Sequence, residues 1–188
     1  YNRRRMADDP SLRESLARLS RRYDRRFLGT DPVGIVRRYE TPEDREVVPF
    51  LAAGLAYGRV ASIRASLEDL LARFGAPPGA FTRAFDPRRD TRRLQGFRHR
   101  FTGGRDIALF LWLLRQAMER AGSLESFFLE GDVPGPLHLG PPMDAFGARL
   151  FALPPGPLRG SLPGARWLLP LPCHRSVAMR HCLLLPWV

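Results

Sequence analysis

Two short phrases hold the side chains best suited to chemistry. Tyr57-Gly58-Arg59 closes the apolar stretch FLAAGLAYGRV (residues 50–60), and Arg98-His99-Arg100 lies inside GFRHRF. In the first phrase Gly58 either just stops a helix or turns the chain so that Tyr57 and Arg59 face a ligand. The second phrase ends the stretch RAFDPRRDTRRLQGFRHRF (residues 83–101), which carries seven arginines and one histidine against two aspartates. Guanidinium groups grip phosphate through paired hydrogen bonds, and aromatic rings beside them stack on unpaired bases. Phe85, Phe97 and Phe101 are interleaved with these arginines, and burial preferences assign all three rings to the core ahead of base stacking. The arginines read equally well as a phosphate-binding surface or as a solvated face.

Other chemistries find less support. Cys173-His174 and His181-Cys182 suggest a metal, but on one helix the two histidines would stand about 10 Å apart along the axis. A single zinc needs its ligands within ~2.0–2.3 Å, so no metal site is assigned. Glu43, Asp44 and Glu46 are close in sequence, yet the first two suit a helix start better than an acid–base pair. No glycine-rich phosphate loop, nucleophile elbow or His-Glu-x-x-His pattern occurs. No catalytic residue and no cofactor are assigned.

The composition fits one well-buried domain. With 188 residues, 44% of them hydrophobic, a core is within reach. The net charge of +11 points to a polyanionic partner. All 30 basic residues are arginine, as a GC-rich coding sequence would produce. Codon bias exchanges lysine for arginine, however, and does not create positive charge. The longest apolar run, Ile107–Leu114, is far short of the ~20 residues of a spanning helix. Two cysteines make no disulfide framework, and a reducing cytoplasm is the expected location. The chain begins at Tyr1, leaving both an upstream start and a start at Met6 open; neither is followed by a signal-peptide pattern.

The elements that would position these groups are helical. Ser11 and Glu14 fit a capping box, and Leu12, Leu16, Leu19, Tyr23 and Phe27 form one apolar stripe to about Leu28. Thr41-Pro42-Glu43-Asp44 opens a second helix, with Val47, Leu51 and Leu55 buried, a kink at Pro49, and Gly58 as a left-handed cap. A third helix runs from Val60 to Gly75 with Ile63 and Leu67 inside. Asp106 to Ala121 forms a long apolar helix with Leu111 and Leu114 inside, and Ser123 caps a short one to Leu129. No stretch alternates with period two for long enough to make a sheet. The expected fold is therefore all-α, a single compact helical domain over residues 11–130. Residues 131–172 hold ten prolines and seven glycines, and no acidic residue follows Asp144. Residues 131–188 thus read as a Pro/Gly-rich linker and a poorly specified tail, truncated or translated in a shifted frame, with short helices over Asp144–Leu153 and Ser176–Leu185.

Several phrases occur together in a recognisable order: YDRRFLGTDPVGIVRRYETPEDREVV, LAAGLAYGRVASI, GFRHRFTGG and GSLESFFLEG. They resemble an uncharacterised bacterial family, domain of unknown function 2400, over about residues 16–131. That family is in turn distantly similar to the helical DNA glycosylases with a helix–hairpin–helix motif. The resemblance implies that the turn at Tyr57-Gly58-Arg59 approaches DNA. Gly58 would allow close backbone approach, Arg59 would meet a phosphate, and Tyr57 would pack or act as a wedge. The chain departs from the pattern in lacking an Asp-Thr-His phrase, and it has no lysine to serve as an amine nucleophile.

The expected function is association with nucleic acid, DNA favoured, through Tyr57, Gly58, Arg59, Arg98, His99 and Arg100. Two alternatives stay open: a base-excision enzyme whose catalytic segment lies outside this chain, and an interaction module for an acidic protein.

Overall fold

A computed structural model describes residues 10–22, 29–131 and 140–174. The described residues are all-α apart from one two-stranded ladder. Helix α1 spans Pro10–Arg22, α2 Val33–Val36 and α3 Pro42–Leu55. Helix α4 covers Val60–Phe74, and α5 (Pro78–Arg83) and α6 (Pro87–Asp90) follow, with a 3-10 turn over Thr91–Leu94. Strands β1 (Arg98–His99) and β2 (Thr102–Gly103) pair antiparallel, with Arg98 opposite Gly103 and His99 opposite Thr102. Helices α7 (Gly104–Ala121), α8 (Leu124–Leu129), α9 (Gly140–Ala152) and α10 (Leu162–Leu168) complete the order, with 3-10 turns at Gly156–Ser161 and Pro172–His174.

Helix α3 starts as its sequence dictates. Thr41 is extended, and its hydroxyl accepts from Asp44 N–H at 3.3 Å. Pro42 stands in the first turn, where no N–H is needed. Its acidic residues then cap other helices. Asp44, 5% exposed, accepts from Gly79 N–H at 2.6 Å at the start of α5. Glu46 accepts from Leu124 N–H at 3.0 Å and Glu125 N–H at 3.1 Å. Those donors at the start of α8 would otherwise lack helical partners. The carboxylates thus meet orphan amides at positive helix ends. Helix α3 continues through Pro49, which is buried, and ends at Leu55. Gly58 has φ +101°, but it is not the helix cap that was expected. Ala56 takes that position, with Tyr57 N–H donating to Leu55 O at 2.7 Å. That three-residue bond makes an inverse γ-turn.

Helix α7 is the centre of the molecule. Ile107–Leu111, Leu113, Leu114, Ala117 and Met118 are buried, a broad apolar face that leaves Arg105, Glu119 and Arg120 on the exposed side. It packs on α5, α8, α9 and α10. Val47, Leu51, Leu55, Ile63, Leu67, Leu111 and Leu114 are buried as expected. Leu16 and Leu19 are not. They are 55% and 48% exposed, and no residue of α1 joins the hydrophobic cluster of the described residues. Residues 23–28, the expected end of that helix, lie outside the described residues, as does the helix expected over Ser176–Leu185.

The region after Gly131 corrects a second expectation. Phe146, Leu150, Leu158, Ala165, Leu168, Leu169 and Leu171 join the same hydrophobic cluster as α3, α4 and α7. Its prolines are compatible with this packing. Pro157 and Pro163 stand in the first turns of helical segments, where a missing N–H costs nothing. The short ladder at 98–103 was also unexpected. Two-residue strands are too brief to leave an alternating pattern.

Candidate nucleic-acid interface

The turn after α3, the β1–β2 hairpin and helix α10 meet at one surface, and hydrogen bonds fix the first two together. Tyr57 donates its hydroxyl proton to the carbonyl of His99 at 3.0 Å. The 2.6 Å contact between Tyr57 Oη and Thr102 Oγ1 must then carry the threonine proton. In return, His99 Nε2 lies 3.0 Å from the carbonyl of Tyr57. A carbonyl only accepts, so Nε2 bears the proton. Nδ1 then accepts from the Ser66 hydroxyl of α4 at 2.8 Å. Turn and hairpin thus clasp each other through both the main chain and the side chains of Tyr57 and His99.

This clasp revises two of the six candidate contacts. His99 is 2% exposed, so it does not meet a ligand directly. Burial, with a smaller effect of the Arg100 charge, holds its pKa below the ordinary histidine value, and the ring is neutral. Tyr57 is half-buried, with both its hydroxyl and its carbonyl engaged, so it packs rather than acts as a wedge.

The remaining candidates do face solvent together. Gly58 and Arg59 are exposed on the turn, and Arg98 and Arg100 on the hairpin. The Arg100 side chain lies across Gly58, where an added Cβ would stand 3.1 Å from Nη1 and 3.2 Å from Cδ. Only glycine suits that position, since its φ is also left-handed. Arg98 Nε donates to the carbonyl of Arg100 at 2.9 Å. Arg100 has φ +54°, the only positive value outside glycine among the described residues. A two-residue hairpin turn needs φ > 0 at its first central position, and here an arginine occupies it. Among the described residues, Arg59, Arg98 and Arg100 form no salt bridge.

Three other arginines of the stretch have a different use. Arg83 donates to Gly122 O at 2.9 Å, Arg89 to Ala84 O at 2.9 Å, and Arg93 to Phe74 O at 3.2 Å. These carbonyls lie at or just beyond the ends of α7, α5 and α4, where acceptors lack helical partners. Arg89 also pairs with the buried Asp90 at 2.8 Å, and its hydrogen bond holds that carboxyl below its ordinary range. Phe85 and Phe97 are core residues, as expected, but Phe101 is 57% exposed. It stacks on Tyr57, with ring centroids 5.0 Å apart. Trp167 of α10 meets it edge-on at 4.8 Å and is itself 49% exposed. Sequence reasoning did not find Trp167, because only tertiary packing brings α10 to the hairpin.

The first turn of helix α10 packs closely on α7. Asp106, in the first turn of α7, accepts from Gly103 N–H at 2.8 Å, and its carboxylate lies so close to Gly164 that no Cβ fits there. A recess of about 340 Å³ adjoins the base of the hairpin, lined by Arg92, Arg105, Thr91, Leu94, Gln95 and the neighbouring glycines. Among the described residues no group of three or more histidine, cysteine or acidic side chains is placed to hold a metal. Cys173 is exposed, whereas His181 and Cys182 lie outside the described residues. No helix among the described residues is long and apolar enough to cross a membrane.

Fold and surface together define an all-α protein with an arginine-flanked aromatic face. The chain belongs to the family described as protein of unknown function DUF2400, whose model matches residues 31–188. The match begins later than the expected resemblance and runs on past Gly131, so the Pro/Gly-rich region is included in it. No curated protein and no solved structure matches the chain. The likeness to helix–hairpin–helix glycosylases is therefore not shown.

Proposed function

We propose that this chain is a cytoplasmic nucleic-acid-associated protein, with DNA the favoured partner. Arg59, Arg98 and Arg100 contact phosphates, Gly58 allows the close approach, and Tyr57 and His99 hold the turn and hairpin in register. The observation that carries this reading is the exposure of Arg59, Arg98 and Arg100, outside any salt bridge among the described residues, on the turn and hairpin that carry Tyr57 and Phe101. Arg83, Arg89 and Arg93 instead bind helix-end carbonyls, whereas Arg88 and Arg92 are exposed on the same stretch. A strained non-glycine residue at a hairpin tip is also characteristic of functional positions. No residue is given a catalytic role. Asp44, Glu46, Asp90 and Asp106 are all engaged at helix or loop amides.

The test is binding of a labelled duplex, measured by fluorescence anisotropy across a salt series. Each of Arg59→Ala, Arg98→Ala and Arg100→Ala should weaken binding and lower the slope of log K against log salt by ~0.9. Arg13→Ala on α1 is the control and should do much less. Equal effects at all four positions would indicate diffuse charge. No binding at low salt would reject the reading in favour of an acidic protein partner.

A further inference from the structure

Phe101 and Trp167 are exposed large aromatics of this surface, and each packs on its neighbour ring. The Phe101 ring lies on Tyr57 with an interplanar angle of 18°, and the Tyr57 hydroxyl is anchored to His99 O and Thr102 Oγ1. Trp167 stands nearly perpendicular to both rings, 4.8 Å from Phe101 and 6.3 Å from Tyr57. A ring over the far face of Phe101 would be about twice as far from Tyr57 as Phe101 is. Trp167 is much closer than that, so it stands beside the stacked pair as a wall. The outer face of Phe101 is left to solvent, in keeping with its 57% exposure.

We infer that this outer face stacks on an unpaired base. The base would extend the Tyr57–Phe101 stack by one ring, with Trp167 along its edge. This inference rests on the nucleic-acid reading above and adds the class of ligand: a single strand, or a duplex with an extrahelical nucleotide. The charge around the platform selects that occupant over an apolar protein segment. Arg59, Arg98 and Arg100 are close to Tyr57 or Phe101 in sequence, and the nearby Asp106 is engaged with Gly103 N–H and packed against Gly164. A base presents a π-face between two phosphates, and so matches an aromatic face set among guanidinium groups. In an intact duplex both faces of every internal base are covered by neighbours. Phe101 then has nothing to stack on, and only the arginines contribute.

Binding is compared at one salt concentration for an oligothymidylate strand, a duplex with a single-nucleotide bulge and the same duplex without it. Phe101→Ala should weaken the first two about 5- to 150-fold, the range expected for loss of one base–aromatic stack, and should leave the intact duplex within about twofold. Phe101→Tyr keeps a π-face and should bind like the parent. Phe101→Leu keeps apolar bulk without the π-face and should behave like alanine, which separates stacking from simple burial. Binding of the single strand should also quench tryptophan emission, and Trp167→Leu should remove that response. If Phe101→Ala lowers all three affinities alike, or if the parent prefers the intact duplex, the stacking inference is overturned and the nucleic-acid reading stands. If the parent binds none of the three at low salt, both fail together.

Discussion

Replacing Arg100 with glycine should move stability and binding in opposite directions. Arg100 holds φ +54° at the hairpin tip. The left-handed region costs a residue with a Cβ about 1–2 kcal/mol, which glycine does not incur. Glycine in turn gives the unfolded chain more freedom, worth about 0.5–1 kcal/mol against the fold. The Arg100 stem also leaves Gly58, where it now packs. The net change is a stabilisation of about 0–1 kcal/mol, which raises Tm by no more than about 4 °C in a chain of this size. Arg100→Ala loses the same stem and charge but keeps the strained φ, so it should be the less stable of the two variants. Both remove one guanidinium and should lower the duplex salt slope by ~0.9. Thermal denaturation and an anisotropy salt series on the same three proteins decide the matter. A glycine variant several degrees less stable than the parent would refute the reasoning, because Arg100 would then be holding the hairpin together. Unchanged binding in both variants would refute its placement at the interface.

The buried neutral His99 predicts acid sensitivity near neutrality. Its folded pKa lies below that of the unfolded chain. The unfolded state therefore binds more protons just below about pH 6.5, and stability should fall as pH drops through that window. His99→Gln should flatten denaturation midpoints between about pH 7 and 5, even if it lowers them all; an unaltered slope would show that another group is responsible. Leu51 is 1% exposed, whereas Leu16 lies on the exposed stripe of α1. In chemical denaturation Leu51→Ala should cost ~2–5 kcal/mol and Leu16→Ala no more than about 0.5 kcal/mol. Similar losses at both sites would mean that α1 is covered. Glu46→Ala removes the acceptor for two amides of α8. It should cost roughly 0.5–2 kcal/mol in the same assay, with no effect if those amides find water instead.

The sequence made the central helices legible because their ends and faces are marked locally. Thr41 and Ser123 cap helix starts, and Gly75 and Gly122 follow helix ends with positive φ. Periodicity found the buried faces of α3, α4 and α7. It failed at α1 for a physical reason: an apolar stripe says that a helix is two-sided, but not what covers it. Proline and glycine content misrepresented residues 140–174. There, prolines stand at helix starts, and Gly147 and Gly164 permit contacts with Leu171 and Asp106 that a side chain would block. At the surface, the division of labour among the arginines left no mark in the sequence. A guanidinium on a helix-end carbonyl and one facing solvent look alike in sequence. Phe101 was assigned to the core by the average behaviour of phenylalanine, and only its place at the tip of a two-residue turn explains its exposure.

Tyr57, Phe101 and Trp167 come from a turn, a hairpin tip and a late helix, so the aromatic face is whole only while α10 is docked. Helix α10 is short and has exposed positions, which makes it a candidate for opening locally without unfolding α3 or α7. Binding and docking are then linked quantities. A ligand that requires the Trp167 wall must stabilise the docked helix by the same free energy that docking lends to its affinity. Slowed amide exchange in Ala165–Leu168 would therefore register occupancy of Phe101 from within the helix itself, and substitutions that loosen α10 would weaken binding without touching the ligand.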